Sequence, residues 1–115
     1  MGDIEPIVKK LMEFRRKRNW EQFNTPKDLA ISLALEAAEV LEHFQWKTDK
    51  EVEAYVKAHK EKIGEELADV FNWILVLAHD LNIDILKAAK RKIRINERKY
   101  PVKKAKGKTT KYTEL

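Results

Sequence analysis

Two pairs of acidic residues, each spaced three apart, are the part of this sequence best suited to chemistry. The first pair is Glu36 and Glu39, and the second is Glu66 and Asp69. Residues three apart lie on the same side of a helix, so each pair presents two carboxylates in one direction. Apolar residues recur at helical spacing beside each pair: Leu33, Ala37, Val40, Leu41 and Phe44, then Ile63, Leu67, Val70, Ile74, Leu77 and Leu81. Packing these two faces together would bring the four carboxylates to one seam.

Four converging carboxylates predict a bound cation, because like charges a few ångströms apart oppose one another's ionisation. Ligation by oxygen alone suits Mg²⁺, with Mn²⁺ as a substitute, rather than zinc, which prefers histidine and cysteine. The chain has no cysteine, and none of its three histidines completes the Glu-x-x-His motif of di-iron bundles. The alternative is that each pair is an ordinary solvated helix edge, which is common in a chain with 37% charged residues.

Aromatic and basic side chains can add a nucleotide site to this seam. Trp73 follows Asp69 by four residues and Glu66 by seven, which places its indole over the same edge of the helix. There the indole either stacks on a nucleobase or ribose or closes the rim of the core. Cations recur in the last predicted helix, where they form a solvated face or hold a polyphosphate. They are Lys87, Lys90, Arg91, Lys92, Arg94, Arg98 and Lys99.

Four helices must position these groups, and amphipathic spacing predicts their extent. Thr25 and Pro26 indicate a helix start, with threonine as N-cap and proline at the first helical position. Tyr100-Pro101 indicates a stop, because proline disfavours helical geometry in the preceding residue. Gly64 and the polar run 57–62 could break the third helix into a short helix followed by a longer one. The predicted helices run from Ile4 to Phe14, from Pro26 to Phe44, from about Asp49 to His79 or Asp80, and from Asn82 to Lys99.

Length and composition predict an all-α domain. The chain has 115 residues and only three glycines and three prolines, which favours long helices over many short strands. A domain of this size buries a modest core, so we expect a helical bundle completed by oligomerisation. The domain is predicted to span residues 1–101, followed by a basic tail at residues 102–115.

The net charge of +5 is unevenly distributed. Residues 87–115 contain twelve Lys and Arg against two Asp and Glu, whereas residues 1–86 contain twelve against seventeen. One alternative function is therefore a noncatalytic basic helical module that binds nucleic acid, although the acidic edges weigh against it. Another is a helical oligomerisation domain. No apolar run approaches the roughly 20 residues that span a bilayer, so we expect no membrane partner and a cytoplasmic location.

Three ordered motifs resemble a known family. ALEAAEVLEHFQW (Ala34 to Trp46), EELADV (Glu65 to Val70) and INERKYP (Ile95 to Pro101) are similar to the MazG-like all-α nucleoside triphosphate pyrophosphohydrolases. Three further motifs resemble the dCTP pyrophosphatase branch of that family: NWEQF (Asn19 to Phe23), FQWKTD (Phe44 to Asp49) and KYTEL (Lys111 to Leu115). The resemblance covers nearly the whole chain.

This resemblance implies an enzyme that cleaves dCTP or a related or modified (deoxy)nucleoside triphosphate between its α and β phosphates, cleaning the nucleotide pool. The products would be the monophosphate and pyrophosphate. It implies that the four carboxylates bind magnesium and that the chain forms dimers or dimers of dimers. A glutamate that the metal does not fully engage can take the proton of the attacking water, and we predict Glu36 or Glu39 for this role, with the neighbouring Glu65 as the alternative. Further residues implied to contact the nucleotide are Trp20, Gln22 and Trp46 around base and sugar, with Lys92 and Asn96 from the last helix.

The chain departs from the dCTP branch at three positions. Leu11 and Asn24 stand where that branch usually has histidine, and Trp73 stands where it has tyrosine. None of the three is a predicted metal ligand. The departures therefore leave the metal chemistry intact and the base preference open.

Overall fold

A computed structural model describes residues 2–115, in which every regular element is helical and there is no β-strand. The chain is thus all-α, as predicted. A 3₁₀ turn, Gly2–Ile4, leads into five helices and a final 3₁₀ turn. They are α1 (Glu5–Lys17), α2 (Pro26–Glu42), α3 (Asp49–Asp80), α4 (Ile85–Lys99), α5 (Val102–Ala105) and the turn Tyr112–Glu114. Among these described elements, no helix is long and apolar enough to cross a membrane.

The chain divides into two compact units, one ending at Asn82 and the other running from Ile83 to Leu115. In the first unit, α1 and α2 both pack against α3. α1 extends past the predicted Phe14 to Lys17, because arginine and lysine favour helix and suit its C-terminal end. Asn19, with a φ of 54°, follows that end in the left-handed conformation that asparagine tolerates.

Side-chain caps start the two helices that carry the acidic pairs. Thr25 Oγ1 accepts a hydrogen bond from the backbone N–H of Asp28 at 3.2 Å, as the Thr-Pro start predicts. Thr48 Oγ1 accepts from the N–H of Glu51, whose side chain accepts from the N–H of Thr48, both at 3.2 Å. This reciprocal capping box satisfies two backbone donors that a helix otherwise leaves unpaired.

A kink at His59 divides α3 into two helical stretches. The residue has a φ of −124° and a ψ of 23°, and it lies in the predicted polar run rather than at Gly64. His59 Nδ1 donates to the backbone oxygen of Tyr55 at 3.0 Å, and the two rings stack with centroids 4.0 Å apart. Tyr55 also hydrogen-bonds through its hydroxyl to His43 Nδ1 at 2.7 Å. The kink is therefore held by side chains from both ends of the α2–α3 connection.

Leu29 of α2 and Leu75 of α3 are the most deeply buried large side chains of the first unit. The apolar faces predicted for α2 and α3 are only partly covered: Leu41 is 61% exposed and Leu67 54% exposed. The prediction that these residues lie in the core is wrong for this chain alone, because each apolar stripe is wider than the helix packed against it. The remaining buried apolar residues are Ile4, Val8, Ile63, Val76 and Ala78.

In the second unit, Asp84 caps α4 by accepting from the N–H of Lys87 at 3.1 Å. Tyr100 and Tyr112 meet edge to face, with ring centroids 5.9 Å apart. The Lys99 ammonium lies 4.7 Å from the Tyr112 ring centroid. These contacts bring the C-terminal turn against the end of α4.

Candidate metal centre and adjoining cavity

Three carboxylates converge between α2 and α3. Glu36 and Glu39 project from α2 and Glu66 from the second stretch of α3, and one oxygen of each lies within 4.8 Å of the others. We call these three residues the carboxylate cluster. The acidic pairs of the two helices were expected to meet because each pair lies beside an apolar face. The structure brings three of the four predicted carboxylates together.

The carboxylate cluster is partly shielded from solvent. Glu36 and Glu66 are partly buried and Glu39 is exposed. Partial desolvation raises the pKa of Glu66, and a hydrogen bond with Glu39 and the negative charges of Glu39 and Asp69 add to the increase, while Lys62 opposes it. Glu66 thus resists ionisation unless a positive charge is supplied nearby.

The donor set fits a hard divalent cation. Glu36 Oε2 is buried and has no hydrogen-bond partner among the described residues. An unpaired buried carboxylate oxygen is costly, and a cation among the three side chains would remove that cost. All the available ligands are carboxylate oxygens, which magnesium and manganese accept and zinc disfavours.

Asp69, the fourth predicted ligand, lies beside the carboxylate cluster but does not belong to its set of oxygens within 4.8 Å of one another. Its charge contributes to the raised pKa of Glu66, and its side chain lines a neighbouring cavity. Asp69 therefore acts electrostatically on the carboxylate cluster and also forms part of the cavity wall. Its role as a ligand remains a prediction.

The neighbouring cavity has a volume of about 450 Å³ and lies between α1, the α1–α2 connection and α3. Trp20 and Trp73, both predicted to contact substrate, line it, so two indoles face a space large enough for a base and sugar. Leu11 and Asn24, two of the departures from the dCTP branch, line it as well. The full lining is Ile7, Lys10, Leu11, Phe14, Arg15, Trp20, Asn24, Asp69, Asn72, Trp73 and Val76.

Sequence reasoning missed several polar residues of this cavity. Asn72 follows Asp69 by three residues, and this spacing could have identified it as a neighbour on the same helix side. Arg15 follows Leu11 by four residues, which places a cation on the apolar side of α1. Its partner in α3 could not have been identified from local spacing.

Four predicted substrate contacts are not part of the cavity lining. Gln22 is exposed, and its Nε2 donates to the backbone oxygen of Asn19 at 3.0 Å. Trp46 is 91% exposed and has a φ of 66°, an uncommon backbone conformation for a bulky residue. In the second unit, Lys92 and Asn96 are exposed on α4. Substrate contact by these four residues remains a prediction.

Comparison with known proteins gives consistent matches. Residues 31–115 match the MazG-like family. The chain is 38% identical over 114 residues to dCTP pyrophosphatase 1 from Homo sapiens and 36% identical to that from Bos taurus, covering 97% of this chain and 67% and 68% of those proteins. The crystal structure of a pyrophosphatase from Archaeoglobus fulgidus superposes with a TM-score of 0.82 at 40% identity, covering 88% of this chain and 94% of that one.

Proposed function

Because the chain belongs to the MazG-like family, we propose that it is a magnesium-dependent hydrolase that cleaves a deoxynucleoside triphosphate between the α and β phosphates. The products are the nucleoside monophosphate and pyrophosphate. The relatives act on dCTP by name, and dCTP or a modified form of it is the substrate we propose here. Acting on free nucleotides, the enzyme belongs in the cytoplasm.

The observation that carries this proposal is the carboxylate cluster beside an apolar cavity with two tryptophans. The cluster supplies negative oxygens for a cation, and Asp69, whose charge acts on Glu66, lines the cavity. A nucleoside triphosphate has the complementary layout, with an aromatic base at one end and a chain of phosphates at the other. Neither half of the site alone would favour a nucleotide over other ligands.

Glu36, Glu39, Glu66 and Asp69 are the residues we propose to hold magnesium. When bound, the cation would neutralise phosphate oxygens and lower the pKa of a water molecule. Glu36 or Glu39 takes the proton from the attacking water, because a carboxylate not fully engaged as a ligand remains a base. Partial burial of Glu36 and Glu66 reduces solvent screening and would strengthen their attraction for a bound cation.

The aromatic residues bind the base. Trp20 and Trp73 face the cavity, where an indole stacks on a base by offset or edge contact. Trp46 and Gln22 contact the base and sugar, and Lys92 and Asn96 contact the nucleotide from α4. The exposure of Trp46 is consistent with a side chain that becomes covered only when substrate or a second copy of the chain is present.

A homo-oligomer, either a dimer or a tetramer, completes the site. Exposed apolar residues share the side of α2 that faces away from α3: Ile31, Ala34, Leu35, Ala38 and Leu41. A helix that is apolar on both sides is normally buried on both. A second copy of the chain would cover this face and enlarge the modest core.

The direct test is an assay of product identity over a panel of nucleoside triphosphates, canonical and modified, with Mg²⁺ or Mn²⁺ and with chelator as the control. We expect pyrophosphate and a monophosphate, with dCTP-type nucleotides turned over most efficiently. Release of orthophosphate would contradict cleavage at the α–β bond. Equal turnover in chelator would contradict the metal requirement.

A further inference from the structure

One side of α4 carries five cations that the proposed nucleotide site does not use. Successive residues of a helix are about 100° apart around its axis, and on that basis these five fall within an arc of about 100°. They are Lys87, Lys90, Arg91, Arg94 and Arg98, and we call them the basic side of α4. Lys92 and Asn96, the α4 residues expected to contact the nucleotide, lie on the opposite side of the helix. The basic side is therefore free to bind a different partner.

The basic side is exposed, and its charges are not neutralised by neighbouring side chains. All five residues are exposed, and no ion pair joins any of them to an acidic group in the part of the chain that the structure describes. Glu97, the one acidic residue of α4, lies at the margin of this side. The partly buried apolar residues Ile85, Leu86 and Ile95 lie outside the arc. Five like charges repel one another, and a polyanion would relieve that repulsion.

The dimensions of the basic side match those of duplex DNA. Lys87 and Arg98 are eleven residues apart, which is about 16 Å along a helix axis. The same length of B-form DNA carries about five phosphates on each strand. Three of the five cations are arginines, whose guanidinium groups bind phosphate oxygens through two parallel hydrogen bonds. A straight helix can thus set a row of cations against a row of phosphates, and the major groove, about 12 Å wide, admits a helix.

Other polyanions fit this side of α4 less well. Single-stranded nucleic acids bind largely by stacking on aromatic side chains, but the basic side has none, and Tyr100 and Tyr112 pack against each other. A helix that lies on a membrane needs large apolar residues beside its cations, whereas the exposed Ile93 lies outside the arc. Duplex RNA has a deep, narrow major groove that side chains cannot read. Duplex DNA is therefore the favoured partner.

We propose that the basic side of α4 binds the phosphate backbone of duplex DNA, independently of base sequence. This binding site belongs to the second unit and does not depend on the proposed hydrolysis of nucleotides. The acidic edges that weigh against a nucleic-acid-binding module belong to the first unit. The second unit, residues 83–115, contains twelve Lys and Arg against three Asp and Glu. Its charge therefore favours association with a polyanion beyond the contacts of α4 itself.

The test is the fluorescence anisotropy of a labelled DNA duplex of mixed sequence, titrated with the full chain at several salt concentrations. Four to five phosphate contacts predict that the logarithm of the binding constant falls with the logarithm of salt concentration with a slope of about −4. The double variant Arg91→Gln, Arg94→Gln should bind at least about tenfold more weakly and reduce the slope by about two. Glutamine favours helix, so circular dichroism should show unchanged helicity. Absence of binding by the wild type at low salt would overturn the inference.

The matched control is the double variant Lys57→Gln, Lys60→Gln, which removes the same charge from exposed positions of α3. It should bind the duplex within about twofold of the wild type, because the effect belongs to the basic side and not to net charge. Equal weakening in both double variants would contradict the proposal.

Three further measurements separate this site from the nucleotide site and from other polyanions. Saturating dCTP with Mg²⁺ at constant ionic strength should leave the duplex bound, and Arg91→Gln, Arg94→Gln should release pyrophosphate at the wild-type rate. Displacement of DNA by dCTP, or loss of that activity, would assign these arginines to the nucleotide site and overturn the inference. Tighter binding to single-stranded DNA, duplex RNA or vesicles containing phosphatidylserine would also overturn it.

Discussion

Arg15 and Asp80, which are 65 positions apart, join α1 to the last residue of α3 through a two-point ion pair. Nη1 donates to Oδ2 at 2.8 Å and Nη2 donates to Oδ1 at 2.9 Å. The arginine side chain is 8% exposed and the aspartate side chain 20% exposed. The pair ties one wall of the cavity to the other, because Arg15 lines it and α3 supplies the opposite side.

Removing Asp80 should destabilise the first unit. In Asp80→Asn the guanidinium stays buried without its counter-charge, and we expect a loss of about 2 kcal/mol in the free energy of unfolding, less than for a fully buried pair. Urea denaturation measures this. The control is Glu65→Gln, which breaks the exposed Lys62–Glu65 pair at 3.6 Å and should cost less than about 0.5 kcal/mol. Similar costs for both variants would show that burial of the Arg15 pair contributes nothing.

The same pair predicts a dependence of stability on acid. The hydrogen bond from Arg15 lowers the pKa of Asp80 in the folded chain, and the His79 contact adds to this while partial burial opposes it. The unfolded chain therefore takes up this proton at higher pH than the folded chain does. The stabilisation is complete above about pH 4 and declines as pH falls through the lowered pKa. Melting temperatures from pH 6 to pH 3 should fall less steeply in Asp80→Asn than in the wild type.

Neutralising Glu66 should separate activity from stability. We expect Glu66→Gln to lower turnover by a factor of about 100 or more, because a metal ligand is lost. The apo protein should melt at the same or a higher temperature, since one carboxylate leaves a repelling group. Mg²⁺ should raise the melting temperature of the wild type and not that of the variant.

Glu61→Gln is the matched control for that variant, because Glu61 is exposed on the same helix. It should retain activity and the thermal response to Mg²⁺. Full activity in Glu66→Gln would exclude Glu66 from the metal site.

The exposed side of α2 should be an interface. Leu35 is 62% exposed, and Leu35→Glu would place a charge in the apolar contact between two copies. We expect light scattering to show a shift of mass toward the monomer with helicity retained. Lys27→Glu, an exposed change at the start of the same helix, should leave the mass unchanged. An unaltered mass in Leu35→Glu would place the interface elsewhere.

Local interactions explain why much of the fold was predictable. The cap at Thr25 and the stop at Tyr100-Pro101 depend on residues at most four positions apart, and both occur as expected. Helical geometry alone likewise places the two members of each acidic pair on one side of their helix, because they are three residues apart. By contrast, Tyr55, whose ring stacks on His59 at the kink, hydrogen-bonds His43, which is twelve positions away across the α2–α3 connection.

By itself the sequence determined the helices, the side of each helix that carries acid, and the family. Only the tertiary structure decided that Glu36, Glu39 and Glu66 form the closest group, that Leu41 and Leu67 remain exposed, and which polar atoms around the cavity are unpaired. The physical reason is the distance along the sequence over which each kind of interaction acts. Backbone hydrogen bonds and helical periodicity act within one or two turns, whereas the distance between oxygens on different helices is set by how their side chains interdigitate, and no local pattern encodes that packing.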